Sequence, residues 1–157
     1  MYSFDASSMI YAWENYPPEN PHFDSLWKWF SEQVHDKTFS ISAKALDEVG
    51  HKIPECSDWL KRNNIEIHSL TATSLGTAQN IKMSLDIVED KYTKGVGEND
   101  LFIISIAKEN GKILVSNESQ QNKLPALKSN YKIPAVCNMP KVNIKCVNFL
   151  DLLKVNK

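Results

Sequence analysis

Four acidic residues are of the type and placement to do metal chemistry: Asp5, Glu48, Asp100 and Glu118. Asp5 follows the short β-prone run at residues 2–4. Glu118 closes Ser116-Asn117-Glu118, directly after the apolar run Ile113-Leu114-Val115. Asp100 opens the strongly apolar stretch 101–107. Glu48 lies three residues past Ala45 and beside Val49, at the border of a buried helical stripe. The four stand 43, 52 and 18 positions apart, so only a tertiary fold can gather them. Carboxylates brought together repel one another, and a divalent cation is the usual remedy. Oxygen donors without His or Cys at ligand spacing match Mg²⁺ or Mn²⁺. Such a site serves phosphate chemistry, in which an ion activates water and offsets charge on the attacked phosphoryl group. Singly, each acid has a plainer reading. Asp5 and Asp100 stand where a helix N-cap is wanted; Glu48 reads as a solvated helix residue and Glu118 as a loop acid.

The elements that must position these acids alternate in type. Short strands are expected at 2–4, 38–41, 65–70, 112–116 and 145–147. A first helix is broken by Pro17-Pro18. Apolar residues at helical spacing then predict a helix over 22–34 and another over 43–53, capped by Ser42 and closed by Pro54. A brief turn at 58–63, a long helix over 73–92, an apolar helix over 100–110 and a last helix over 149–155 complete the chain. Residues 119–135 read as a long loop with at most one helical turn. Strand–helix alternation implies α/β architecture around a mostly parallel sheet, in a single domain spanning 1–157. In such a sheet the ligand crevice lies at the carboxyl ends of the strands, the edge on which Asp5 and Glu118 fall.

Composition narrows the function classes. The chain has 157 residues, 42% hydrophobic and 24% charged, and no apolar run approaches the ~18–20 residues of a membrane span. The opening Met1-Tyr2-Ser3-Phe4-Asp5 lacks a basic or apolar leader, so a cytoplasmic location without membrane contact is expected. Cys56, Cys137 and Cys146 cannot all pair, and read as reduced thiols, mostly small core residues. His22, His35, His51 and His68 lack zinc-site spacing. The net charge of -1 conceals a gradient: residues 1–66 carry 6 basic and 11 acidic side chains, 67–107 carry 3 and 5, and 108–157 carry 9 and 3. Lys112, Lys123 and Lys128, with Lys132, Lys141 and Lys145, form a candidate phosphate-binding surface beside the acids. Trp13 and Trp27 follow buried stripes, whereas Trp29 falls off its stripe and is expected to be exposed.

Several motifs match a known family. Phe4-Asp5-Ala6-Ser7-Ser8-Met9-Ile10 resembles the opening of PIN-domain proteins, with an Asp after the first strand and a Ser close behind. Asn99-Asp100-Leu101-Phe102, running on to Gly111-Lys112-Ile113-Leu114-Val115-Ser116-Asn117-Glu118, looks like that family's second half. Ala45-Leu46-Asp47-Glu48-Val49 is similar to the helix bearing its intermediate acid. Trp13 with Pro17-Pro18, the Trp27 helix and Ile133-Pro134-Ala135-Val136-Cys137 resemble a prokaryotic PIN-like branch. The resemblance implies a three-layer α/β/α fold and a Mg²⁺- or Mn²⁺-dependent endoribonuclease of the VapC toxin type. Such a protein acts on RNA, pairs with a cognate antitoxin and is commonly a homodimer. It further implies Asp5, Glu48, Asp100 and Glu118 as the metal-holding catalytic acids, with Asp47 as the other acid available at the second position. Ser7 would support Asp5 or a metal-bound water, and Asn117 would lie just outside the acids. A catalytically inert PIN-like module that binds RNA or a protein partner is the alternative. A receiver-like use of Asp5 as phospho-acceptor ranks below both, because Ser7 stands where a second Asp is expected.

Overall fold

The strands are brief, and all but β4, which leads into a long loop, hand the chain to a helix that a polar side chain caps. The computed structural model describes residues 1–156; Lys157, counted above in the basic tail and in the 1–157 domain, lies outside the described residues. In chain order the elements are β1 (Tyr2–Phe4), α1 (Ala6–Asn15), α2 (Asp24–His35), β2 (Phe39–Ser42), α3 (Ala43–Lys52), α4 (Pro54–Arg62) and β3 (Glu66–His68). There follow α5 (Ala72–Ser84), α6 (Glu98–Glu109), β4 (Ile113–Val115), α7 (Ile133–Cys137), β5 (Cys146–Val147) and α8 (Phe149–Val155). Side chains start the helices: Asp5 accepts from the Ser8 N–H at 2.8 Å, Ser42 from the Ala45 N–H at 3.1 Å, and Asn148 from the Asp151 N–H at 2.7 Å.

The sheet order is β3-β2-β1-β4-β5, and every pairing is parallel. Phe4 sits opposite Ile41 on one side and Val115 on the other. The chain builds outward from β1 to β3, then crosses to the far side of β1 for β4 and β5. Strand order therefore reverses between β1 and β4, and the carboxyl ends of those two strands form the crevice where α/β sheets bind ligands.

Aromatic packing holds the sheet and helices together. Phe4, Phe30 and Phe39 have ring centroids 4.8–5.2 Å apart, and all three are fully buried. Trp27 meets Trp13 at 5.3 Å and Trp59 at 5.1 Å, and donates its ring N–H to the Tyr16 carbonyl at 2.6 Å. On α6, Leu101, Ile103, Ile104 and Ile106 are buried. The three cysteines are free, with Cys56 and Cys137 in the interior. Among the described residues no helix is long and apolar enough to cross a membrane.

The structure departs from the sequence expectations at four places. Pro54 opens α4 at its first turn instead of closing α3, so the brief turn at 58–63 is a nine-residue helix. The helix expected over 73–92 stops at Ser84. There Asp86 takes a left-handed φ of 57°, its N–H reaching the Met83 carbonyl and the Ile87 N–H the Lys82 carbonyl. That is a Schellman stop. Within 119–135 the chain makes a 3-10 turn at Lys128–Asn130 and begins α7. Trp29 is half-buried, edge-on to Phe39 at 5.4 Å, because the end of its helix packs over β2.

Candidate functional site

Asp5 leaves β1 at the strand-order reversal and is 2% exposed. Its carboxylate accepts hydrogen bonds from the Ser7 hydroxyl (2.8 and 2.9 Å), the Ser8 N–H and the Ser116 hydroxyl (2.5 Å). Asp5 is thus the N-cap of α1, the plainer of its two sequence readings, and it stands at the end of β1 beside the strand-order reversal. Burial pushes its pKa up to about 6 against 3.8 for an ordinary aspartate, and the hydrogen bonds from Ser116, Ser8 and Ser7 hold that rise back. Ser7 also accepts the Asn117 N–H at 2.9 Å, and Ser116 accepts the Glu118 N–H at 3.2 Å. These hydroxyls stitch the end of β1 to the end of β4. The Asn117 side chain turns away and accepts the Phe149 N–H at 3.0 Å, which fixes the start of α8.

The other acids converge on the same crevice. Glu48, half-buried on α3, has its pKa raised by burial first and then by the charge of Asp100. A hydrogen bond from the Asn99 side chain opposes the rise, and Asp5 and Glu118 add to it. All three partners thus act on Glu48, while Asp47 points to solvent. Asp100, in the first turn of α6, accepts the Gly97 N–H at 2.9 Å, so it also caps its helix. Its pKa is raised by burial and by Glu118, against the Gly97 N–H and Lys132. Lys132 lies 4.0 Å from Glu118.

In kind, this donor set suits a hard divalent cation: four carboxylates, oxygen only, whose charges raise the pKa of Glu48 and of Asp100, with one lysine close by. In position it is open. Among the described residues no three Asp, Glu, His or Cys side chains are grouped to hold one ion together. Asp5 is drawn onto its serines and Asp100 onto its cap.

The loop that leads into α6 and Asp100 is clamped to a distant segment, a feature the sequence reading missed. Thr93 Oγ1 donates to the Ser129 carbonyl at 2.8 Å, and the Val96 N–H donates to the Tyr131 carbonyl at 2.8 Å. Gly95 packs so closely there that a Cβ would fall 2.4 Å from the Tyr131 carbonyl oxygen. The expected lysine surface is divided. Lys112 sits at the amino end of β4, 9% exposed, at the opposite end of the strand from Glu118, so it does not border the acids. Lys123 is exposed on the segment after Glu118; Lys128 and Lys145 line one cavity and Lys141 another.

The fold is that of PIN-domain proteins, as the sequence motifs indicate. Within it, the chain belongs to the family described as "Domain of unknown function (DUF4411)", whose model matches residues 2–157. No curated protein matches its sequence. Among solved structures it is similar to VapBC2 from Rickettsia felis bound to a DNA fragment from their promoter, with a TM-score of 0.58 and 18% identity over 94% of this chain and 98% of that one. DNA-bound VapBC from Salmonella typhimurium gives 0.55 and 16%, over 94% and 96%. FitAcB from Neisseria gonorrhoeae gives 0.54 and 12%, over 94% and 97%. At these identities the likeness is one of fold.

Proposed function

We propose that this protein is a Mg²⁺- or Mn²⁺-dependent ribonuclease that hydrolyses RNA phosphodiester bonds, and that it is the toxin of a toxin–antitoxin pair. The observation that supports the proposal is electrostatic: the charges of Asp100, Asp5 and Glu118 all reach Glu48 and raise its pKa, beside the strand-order reversal where Asp5 leaves β1. Likeness to VapBC and FitAB complexes supports an antitoxin partner. The four acids would hold the ion, which when bound supplies positive charge at the attacked phosphoryl group and acidifies a water.

The chain's own groups prepare that site. Ser7 and Ser116 orient Asp5 and keep part of its charge in place despite burial. The Gly97 N–H fixes Asp100, and the Asn99 side chain steadies Glu48. Lys132 offsets Glu118 at the mouth, where an incoming phosphate meets the acids. The inert-module alternative draws on the open arrangement of the acids. Asp100→Asn, which keeps an oxygen for the Gly97 N–H, separates the two. Mn²⁺-dependent cleavage of single-stranded RNA by the native protein, lost in the variant, is the expected outcome. Equal cleavage by both refutes the assignment, and no cleavage by either favours the inert module.

A further inference from the structure

Between the segment following Glu118 and strand β5 lies a cavity of about 620 Å³, within the ~300–1,000 Å³ in which proteins hold small organic ligands. Its lining is chemically mixed. Tyr131 and Met139, both half-buried and packed in part against the core, line it with Asn122 and Asn138, which are exposed. Lys128 and Lys145 bring two positive charges, and among the described residues no Asp or Glu lines it.

The cavity adjoins the carboxylates through short links. The Tyr131 carbonyl is held by Val96 on the loop that leads into α6 and Asp100, and the next residue, Lys132, lies 4.0 Å from Glu118. Gln121 brackets Tyr131 from both sides: its amide donates to the Asn130 carbonyl at 3.1 Å, and its oxygen accepts the Lys132 N–H at 2.9 Å. The ring is therefore carried on a backbone fixed at three successive residues.

An acidic crevice repels a phosphate backbone, so a strand cut there needs a cationic foothold alongside. Any base offers a π-face to a tyrosine ring, unpaired base edges are read by amides, and lysines neutralise phosphates. We infer that this cavity seats one unpaired nucleotide of the RNA, its base against Tyr131 and its phosphates against Lys128 and Lys145. The inference rests on the ribonuclease reading for the nature of the strand, and it adds where that strand is gripped.

The test is fluorescence anisotropy of a labelled single-stranded RNA hexamer with the full chain in EDTA, where cleavage is suppressed. Tyr131→Ala should weaken binding at least about fivefold, the low end of a lost base stack, while Tyr131→Phe stays within about twofold. Replacing the exposed Lys128 and Lys145 together by Gln should flatten the dependence of log K on log salt by about 1.4, at ~0.7 per phosphate. If Tyr131→Ala does not fold, the lysine variant decides the question. Unchanged affinity and salt slope in these variants, or no hexamer binding by the native protein, overturns the inference. The two readings fail separately. Cleavage in Mn²⁺ with binding indifferent to these residues removes the cavity's role alone; cavity-dependent binding with no cleavage removes the nuclease alone.

Discussion

Asp5 turns the site's electrostatics into a measurable stability. Its folded pKa of about 6 lies above the 3.8 of an ordinary aspartate, so folding favours the protonated carboxyl. At 1.36 kcal/mol per pKa unit this amounts to about 3 kcal/mol. That stability is fully present below pH 4 and is lost as pH rises through about 6. Glu48 and Asp100, also raised, act in the same direction. Asp5→Asn isolates one share of the effect. The amide stays neutral, its oxygen can still accept the Ser8 N–H, and the Ser7 and Ser116 hydroxyls can rotate to accept from its nitrogen. In urea denaturation without metal, the variant should exceed the native protein by up to about 3 kcal/mol at pH 7 and converge with it near pH 4. In a thermal scan at pH 7 that is a gain of about 6–12 °C. Saturating Mn²⁺ should close the gap from the other side, since an ion at 100 times its Kd stabilises the native protein by about 2.7 kcal/mol and the variant less. Metal-free curves that run parallel from pH 4 to pH 7 would show that burial does not raise the Asp5 pKa.

Two substitutions away from the acids probe how the site is built. Gly95→Ala places a methyl 2.4 Å from the Tyr131 carbonyl oxygen and equally close to the neighbouring backbone. The clamp on the Asp100 loop must then shift, at a cost of about 1–3 kcal/mol in denaturation and with a clear loss of RNA cleavage. Asp86→Gly relieves the left-handed residue that ends α5, and should stabilise the protein by up to about 1 kcal/mol in the same assay while leaving cleavage unchanged.

The centre of the fold is legible in the sequence because pattern and caps agree there. β1, β2 and β4 are brief runs, each followed by a polar residue that starts a helix or faces the crevice, and the Asp5 and Ser42 caps expected from the sequence mark true boundaries. The end of α5 is illegible for a physical reason. Leu85 and Ile87 stay buried beyond the helix, so the apolar rhythm runs on while the backbone has already turned at an Asp where glycine is the usual signal. Pro54 misleads because proline suits both the residue after one helix and the first turn of the next. At the site, Asp5, Asp100 and Glu118 could be singled out as candidates from their places after strands or at a helix start, and Glu48 from its place beside a buried stripe. Lys132 beside Glu118, the Thr93–Ser129 and Val96–Tyr131 bonds of the clamp and the close approach of Gly95 could not, since each joins residues some 14 to 36 positions apart and leaves no local pattern. Lys112 shows the converse: a charge count assigns it to the phosphate surface, but its place before β4 puts it at the other end of the sheet.

The proposed function requires that Asp5, Glu48, Asp100 and Glu118 together hold one divalent ion. Anomalous diffraction from crystals soaked in Mn²⁺ tests it directly. The expected result is a manganese peak within the crevice at about 2.1 Å from carboxylate oxygens of these residues, with Glu48 and Glu118 turned inward to meet it. Four well-ordered carboxylates at saturating Mn²⁺ with no peak among them would contradict the claim.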